Sequence, residues 1–496
     1  METGMAQTGL SSDEQTLVRS LYHRLTRLRR THKELDDYYR GTQMLQVLGI
    51  AVPPQLRAFE FPLNWPRVTV DTVVQRQRVR SFSLPDVPEA SDQLWDIWEA
   101  NNMESQSVLA HLETRIQGHG FVTVGTNPDK KGHPLITVES SKSMIARIDP
   151  RTRKVTAALR VYFDPYRADA PTQATLYQPD STTYLDKGPG WNWTVTWRDD
   201  HNLGQVPVVQ FINRPRVGDF VGESEMQDVL RPTDMAARTL MDLQVAMETH
   251  AVPGKWAVGL SDTDFIDAKT GKVAAPWHVY YTTMTTSTSK EARFGQFSAS
   301  DLSNFKTVID LLSEQVSAVT GLPVRYFGQN TANPASEGAI RADEVRLVKN
   351  VELKNSLDGD SWGDVMALAW RMATGEQVDG HRIRTDWDDP NTPTFAQKAD
   401  AIQKLVATGI LSREGAWDEL GWSEARKDKE RARIADDDAQ AWSGYIKPMS
   451  EWEAGNEDHG GAGTAGDGGR AGAAAQETKQ PAGQPDHDTV AVQRGQ

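Results

Sequence analysis

Not one of the 496 residues is cysteine. That absence removes disulfides, thiolate nucleophiles and zinc–thiolate sites together, and it fits assembly in a reducing compartment. Long apolar runs are lacking too, since no stretch approaches the roughly 18–20 residues that span a bilayer. The opening residues, METGMAQTGLSSDEQ, have neither the charged nor the apolar region of a secretory signal. The expectation is a soluble protein made inside the cell. Positive charge is scarce: 54 Lys and Arg face 68 Asp and Glu, a net charge of −14. A protein that grips DNA draws its affinity from neutralised phosphates, so this balance argues against tight, general binding. What is present is core material, 38% hydrophobic residues with 15 Trp, in a chain long enough for two to four lobes.

Catalytic and metal-binding motifs are missing as well. The nearest approach to a phosphate-binding loop, KTGKV at 269–273, lacks the first Gly and the hydroxyl. No GxSxG elbow and no HExxH helix occurs, and the eleven His are scattered. Asp358 and Asp360 precede Gly363, but Trp362 stands where a calcium loop needs an oxygen. Asp262, Asp264 and Asp267 read as hairpin-loop residues, and Asp386, Asp388 and Asp389 as a turn leading into a helix after Thr394. Asp436–Asp438 belong to a charged helix. The expectation is no catalytic residue, no metal, no cofactor and no enzyme.

Periodicity supplies the organisation. Residues 12–40 read as a helix started by Ser12 or Asp13, with Leu17, Leu21, Leu25, Leu28 and Leu35 on one side and Gly41 after its end. Its basic run RLTRLRR reads as a solvated face. NWPRVTVDTVVQRQRV starts a second helix with Pro66 in the first turn, and 91–117 is a third. Between 120 and 213, short β-rich runs such as FVTVG and KVTAALRVYF alternate with turns. This predicts a mostly antiparallel region, with Trp191, Trp193 and Trp197 on one packed face rather than a sugar platform. Helix returns at 223–250, where Pro232 ends a first turn or kinks the helix. A short-period module fills 251–298, a helix 300–320, and a long helix 336–373 with a weak point at LDGDSWGD. Two or three short helices occupy 395–447, and the Gly- and Ala-rich chain beyond 453 is expected to be disordered. The class is α+β.

The stretch TGLPVRYFGQNTANPASEGAIRADE, 320–344, joins two of these helices. A phosphate cradle needs several N–H groups aimed at one spot. Here Ser336 is placed to cap the next helix, and Glu337 and Asp343 suit the helix dipole while repelling an anion. Two helices feeding a small module, then a loop and a long helix, suit copies packed around an axis through heterologous contacts.

In that order the chain resembles the SPP1-type portal proteins of tailed bacteriophages, common in actinobacterial phages. The resemblance is carried by LDDYYRGTQMLQVLG, NWPRVTVDTVVQRQRV, ARIDPRTRKVTAALRVY, LGQVPVVQFINRPR, GESEMQDVLRPTDMAARTLMDLQVAME, TGLPVRYFG with PASEGAIRADEVRLVKNVE, and DWDDPNTPTFAQKADAIQKLVATG. It covers about residues 15–440. It implies a portal fold in a ring oligomer, usually of twelve subunits. Residues 1–11 would be a flexible N-terminus and 12–222 the wing. The two-helix stem would be 223–250 and 299–322, enclosing a small α/β clip at 251–298. The tunnel-loop region would be 323–336, followed by 337–390 as the long helix returning to the wing. A helical crown at 391–450 and a tail at 451–496 would complete the chain. Gln329, Asn330, Thr331, Asn333 and Pro334 would be the tunnel-loop residues that meet DNA. Trp256, Asp262, Asp264, Asp267, Lys269 and Lys272 would be the clip residues that meet terminase or adaptor.

The implied function is the channel at one capsid vertex, assembled in the host bacterial cytoplasm and carried in the virion. It nucleates assembly, passes DNA in and out, and joins head to tail. Its partners would be other copies of itself, the terminase large subunit, scaffolding and major capsid proteins, head-completion proteins and double-stranded DNA, with no membrane. The competing readings are another ring-forming head–tail adaptor and a carbohydrate-active enzyme using the Trp-rich region.

Overall fold

The computed structural model describes residues 9–43, 63–85, 87–127, 129–130, 132–164, 167–190, 192–250, 255–259, 291, 293–296, 302–329, 336–391, 395–422 and 424–445. They fall into two compact units, Met1–Thr392 and Pro393–Gln496.

Helix α1 (Ser12–Arg40) spans the expected residues and is capped by Ser11 rather than by Ser12 or Asp13. The Ser11 hydroxyl accepts from the Glu14 N–H, and the Glu14 carboxylate accepts from the Ser11 N–H at 2.9 Å. This reciprocal box satisfies donors that the first turn otherwise leaves open. Gly41, at φ 75°, ends the helix. The basic run flanks a packed face: Arg24 donates to the Ala146 carbonyl, and Arg29 lies 4.5 Å over the Phe163 ring. Helix α2 (Trp65–Val74) is capped by Asn64 with Pro66 in its first turn, and strand β1 (Val79–Ser83) follows. In place of one helix over 91–117 there are two, α3 (Pro88–Ala100) and α4 (Met103–Gln117). The break is at Asn101–Asn102. Asn102 takes φ 52°, which Asn tolerates better than most residues. The Asn101 amide donates to the Ile97 and Pro134 carbonyls, and its oxygen accepts from Ile136 N–H.

Eight strands follow: β2 (His119–Gly125), β3 (Leu135–Glu139), β4 (Met144–Ile148), β5 (Val155–Asp164), β6 (Arg167–Tyr177), β7 (Thr182–Lys187), β8 (Trp193–Asp199) and β9 (Val208–Ile212). Every pairing among them is antiparallel, in a three-stranded sheet β3-β2-β9 and a five-stranded sheet β4-β5-β6-β7-β8. One face of the larger sheet lays Leu159, Val161, Leu176 and Leu185 on Leu21 and Leu25 of α1. Trp193 joins that packing, but Trp197 does not. A register shift next to the Tyr184–Trp197 pair reverses the alternation. Trp197 is therefore 55% exposed on the opposite face. Trp191 lies outside the described residues.

Residues 225–229 form turns, and α5 (Leu230–His250) begins later than expected, with Pro232 harmless in its first turn. Strands β10 (Lys255–Val258) and β11 (Arg293–Gln296) pair antiparallel. Helix α6 (Ser303–Thr320) and the 38-residue α7 (Glu337–Thr374) follow, and β12 (Arg384–Trp387) pairs back with β1. LDGDSWGD does not interrupt α7. A Cβ on Gly363 would stand 2.7 Å from the Gly380 carbonyl oxygen and 2.9 Å from that of Ile383. Gly363 thus admits neighbouring backbone to the helix, and Gly359 admits the Trp387 and Thr385 side chains. Beside them Trp362 is fully buried, 4.9 Å from Trp98 and 4.7 Å from Phe211. Burying a side chain of this kind contributes about 1.5–3 kcal/mol, which exceeds the roughly 1 kcal/mol that a helical Gly costs against Ala.

In the second unit, α8 (Phe395–Ala407), α9 (Arg413–Glu419) and α10 (Glu424–Tyr445) are short helices. Trp417 is buried and stacks on Trp422 at 5.8 Å, while Arg431 bridges to Glu414 at 2.7 Å. The chain beyond 445, including the tail expected to be disordered, lies outside the described residues.

Candidate functional site

Helices α5 and α6 share one core with α2 and α7, built from Val229, Ala236, Leu312, Val316, Leu347 and Val351. Gly321 ends α6 at φ 74°, where a Cβ would meet the Arg346 side chain at 3.1 Å. Arg346 donates to the Ala318 carbonyl at 3.0 Å, closing one open acceptor at that helix end. A single 3-10 turn, Val324–Phe327, follows, and Phe327 is buried edge-on to Trp65 at 6.1 Å.

The segments on either side of 330–335 meet at one carboxylate. Glu344, on the second turn of α7, accepts from the Tyr326 hydroxyl at 2.7 Å and from Arg76 at 3.1 Å, and it pairs with Arg325. Arg325 reaches Asp343 at 3.3 Å, and Arg76 donates to the Pro390 carbonyl at 3.2 Å. Burial alone would raise the Glu344 carboxyl. The Tyr326 and Arg76 hydrogen bonds and both guanidinium charges outweigh it and hold the group below the usual carboxylate range. The Tyr326 phenol moves upward, first from burial and then because its proton is held by Glu344.

Gln329 is the last described residue before the loop. Its amide Nε2–H group donates to the Asp310 carbonyl and to Ser313 Oγ, both at 2.7 Å. That side chain is thus engaged on α6. Ser336 caps α7, accepting from Ala339 N–H at 3.3 Å. Asn330, Thr331, Asn333 and Pro334 lie outside the described residues. So do Asp262, Asp264, Asp267, Lys269 and Lys272. Trp256 is described: its indole covers Gly295 on β11, where a Cβ would stand 2.3 Å from the ring, and it is 40% exposed.

Sequence reasoning missed a second polar centre. Arg115 of α4, fully buried, pairs with Asp358 of α7 and donates to Asn213 Oδ1 at 2.8 Å. Gln77 donates to Asp358 at 2.9 Å and accepts from the Arg115 Nε–H at 3.3 Å. Next to this pair, Lys354 of α7 reaches Glu225 at 2.6 Å, and Arg214 lies 3.4 Å from the same carboxylate. Burial would raise Glu225, but Lys354 and Arg214 hold it down at about 2. Glu225 stands five residues before α5, so the centre ties the approach to α5 to the middle of α7. The partners are up to 281 residues apart, and no local pattern announces them. Only the unusual Asp-Gly-Asp within a helical run hinted that Asp358 has a partner.

Charge in both centres is matched once Asp228, which Arg214 meets at 2.8 Å, is counted, and the described geometry holds chain segments together. Among the described residues, no three His, Asp or Glu cluster in a way that could hold a metal ion.

A family model described as phage portal protein, SPP1 Gp6-like, matches residues 19–443. The portal protein of Mycobacterium phage D29 is 36% identical over 426 residues, 83% of this chain and 87% of that protein. The portal protein of Mycobacterium phage L5 is 36% identical over 418 residues, 82% and 85% of the respective chains. Among solved structures, a chain in the neck of a native GTA particle computed with C12 symmetry superposes with TM-score 0.41. It is 14% identical and covers 79% of this chain and 99% of that one, a likeness too loose to carry an argument.

Proposed function

This chain belongs to the SPP1 Gp6-like family of phage portal proteins, and from that premise we propose the part each region plays in the portal. Helices α5 and α6 form the stem, 251–298 the clip, and 12–222 with 337–390 the wing. Residues 391–450 form the crown, and the 323–336 region carries the loop that faces a central channel. Copies form a ring, twelve by the family's usual number, at one capsid vertex of the virion. DNA passes through the ring under the terminase motor. Trp256 and the clip residues Asp262, Asp264, Asp267, Lys269 and Lys272 meet terminase or a head-completion protein.

The observation that carries this reading is the clamp at Glu344. It ties the turn before 330–335 to the helix after it and to Arg76 beyond α2, anchoring on both sides a segment that would repeatedly meet a moving polymer. Because Gln329 spends its amide N–H group on α6, contact with DNA passes to Asn330, Thr331 and Asn333, with Pro334 limiting the backbone. Amides and hydroxyls touch phosphates without fixed charge. A single channel-facing Lys would be repeated in every subunit, and each neutralised phosphate adds affinity that resists sliding. The acidic balance of the chain suits that demand.

Deleting 330–335 leaves Gln329, Tyr326 and Glu344 in place. Rings that assemble but package DNA more slowly, or lose packaged DNA, are the expected result. Rings packaging at the normal rate would deny the loop this role.

A further inference from the structure

The face of the five-stranded sheet turned away from α1 is not fully covered. Beyond the shared packing of Phe121, Met144, Ala158 and Val208, a cleft of about 180 Å³ remains between the two sheets. Tyr162, Tyr177 and Tyr184 line it with Arg160, Asp199 and His201. Trp197 stacks on Tyr184 at 5.0 Å and 30°, and both are solvent-exposed. The register shift in β8 is what turns Trp197 to this face. β8 is also an edge of its sheet, so one side of its backbone is open to pairing.

The charge of the cleft has one sign left over. Arg160 is matched by Glu139 at 2.7 Å. Asp180, Asp199 and Asp200 all lie close enough to act on His201 by charge. Nothing among the described residues hydrogen-bonds the Asp199 carboxylate. The His201 Nδ1 accepts from Leu203 N–H, while its Nε2 is buried without a partner. Exposed aromatic faces beside a carboxylate that no described residue hydrogen-bonds match a cationic side chain, held by the ring faces and by charge together. An open edge strand matches an extended chain.

We propose that this cleft docks a basic, extended segment of a partner protein, which runs along β8 and sets a Lys or Arg side chain between Tyr184–Trp197 and Asp199. The site is distinct from the channel loop and the clip, and it does not depend on their roles.

The test uses the full-length protein and a fluorescein-labelled peptide of alternating Gly and Lys, read by fluorescence anisotropy. A Gly–Glu peptide and maltohexaose serve as comparison probes. Binding of the Gly–Lys peptide is expected to weaken roughly threefold to thirtyfold in Trp197→Ala. It should weaken similarly in Asp199→Asn and stay unchanged in Asp389→Asn, a carboxylate in the turn after β12. Both affected variants should form the same assemblies as the parent, which separates failure of the cleft from failure of the portal reading. Equal binding by all variants would overturn the proposal, as it would mark unspecific attraction to an acidic surface. Absence of binding would overturn it too, as would maltohexaose binding that Trp197→Ala abolishes, which would make the cleft a carbohydrate site.

Discussion

Glu344 shows how much one carboxylate can organise. It receives a phenol and two guanidinium groups from two separate segments, the 324–327 turn and the chain after α2, and replacing it leaves half-buried donors without their acceptor. Glu344→Gln is expected to cost about 2 kcal/mol, the range for hydrogen bonds to a charged group, measured by denaturant unfolding. Asp358→Ala should be harsher, about 3–5 kcal/mol, because it strands the buried Arg115 charge. An effect under about 1 kcal/mol would mean that Arg115 finds water in place of its partner. Three histidines set a pH dependence. Burial holds His32 and His111 near 4 and His119 near 3, well below the unfolded value of 6.5. Their folded forms bind fewer protons than the unfolded chain between pH 6.5 and about 3, so their contribution is fully present above 6.5 and lost as pH falls through that window. The melting temperature should drop across it, and His32→Gln with His119→Gln should flatten the drop. An unchanged slope would assign the loss to carboxylates. None of this is legible in the sequence, because each partner lies far away along the chain.

At the scale of elements, most of the architecture can be read from periodicity, and the departures share a physical cause. The span of α1 is as expected, but its cap is Ser11 rather than Ser12 or Asp13, because all three are competent caps and Glu14 selects Ser11. The α3–α4 break is hidden because Asn101 and Asn102 look tolerable in a helix until Pro134 and Ile136 claim the Asn101 side chain. The β8 register shift likewise leaves no local mark on WNWTVTWRD. LDGDSWGD departs in the opposite direction: tertiary packing turns apparent helix breakers into close contacts. Gly363→Ala is accordingly expected to destabilise by about 1–3 kcal/mol, the cost of overpacking, although Ala is the better helix former. A gain in stability would show that Gly380 and Ile383 can move aside. Gly338, where an added Cβ would meet nothing within 4 Å, is the matched control and should gain stability on the same change.

At the scale of the whole molecule, the order helix, module, helix, loop and long helix can be read from sequence without any contact being known. The family relationship rests on the match over residues 19–443 and on 36% identity with two mycobacteriophage portal proteins. The residues expected to meet DNA and terminase are the part that sequence only nominates, since polar loop residues have no packing pattern to betray them. The anchors Gln329, Ser336 and Glu344 have one, and the structure supplies it. The central claim is a ring with the 330–335 loop turned toward its channel. Electron cryomicroscopy of the purified full-length protein tests it most directly. The account predicts a closed ring in which α5 and α6 surround the axis and the segment between Gln329 and Ser336 reaches the channel. A monomer, or a ring with that segment on its outer surface, would contradict it.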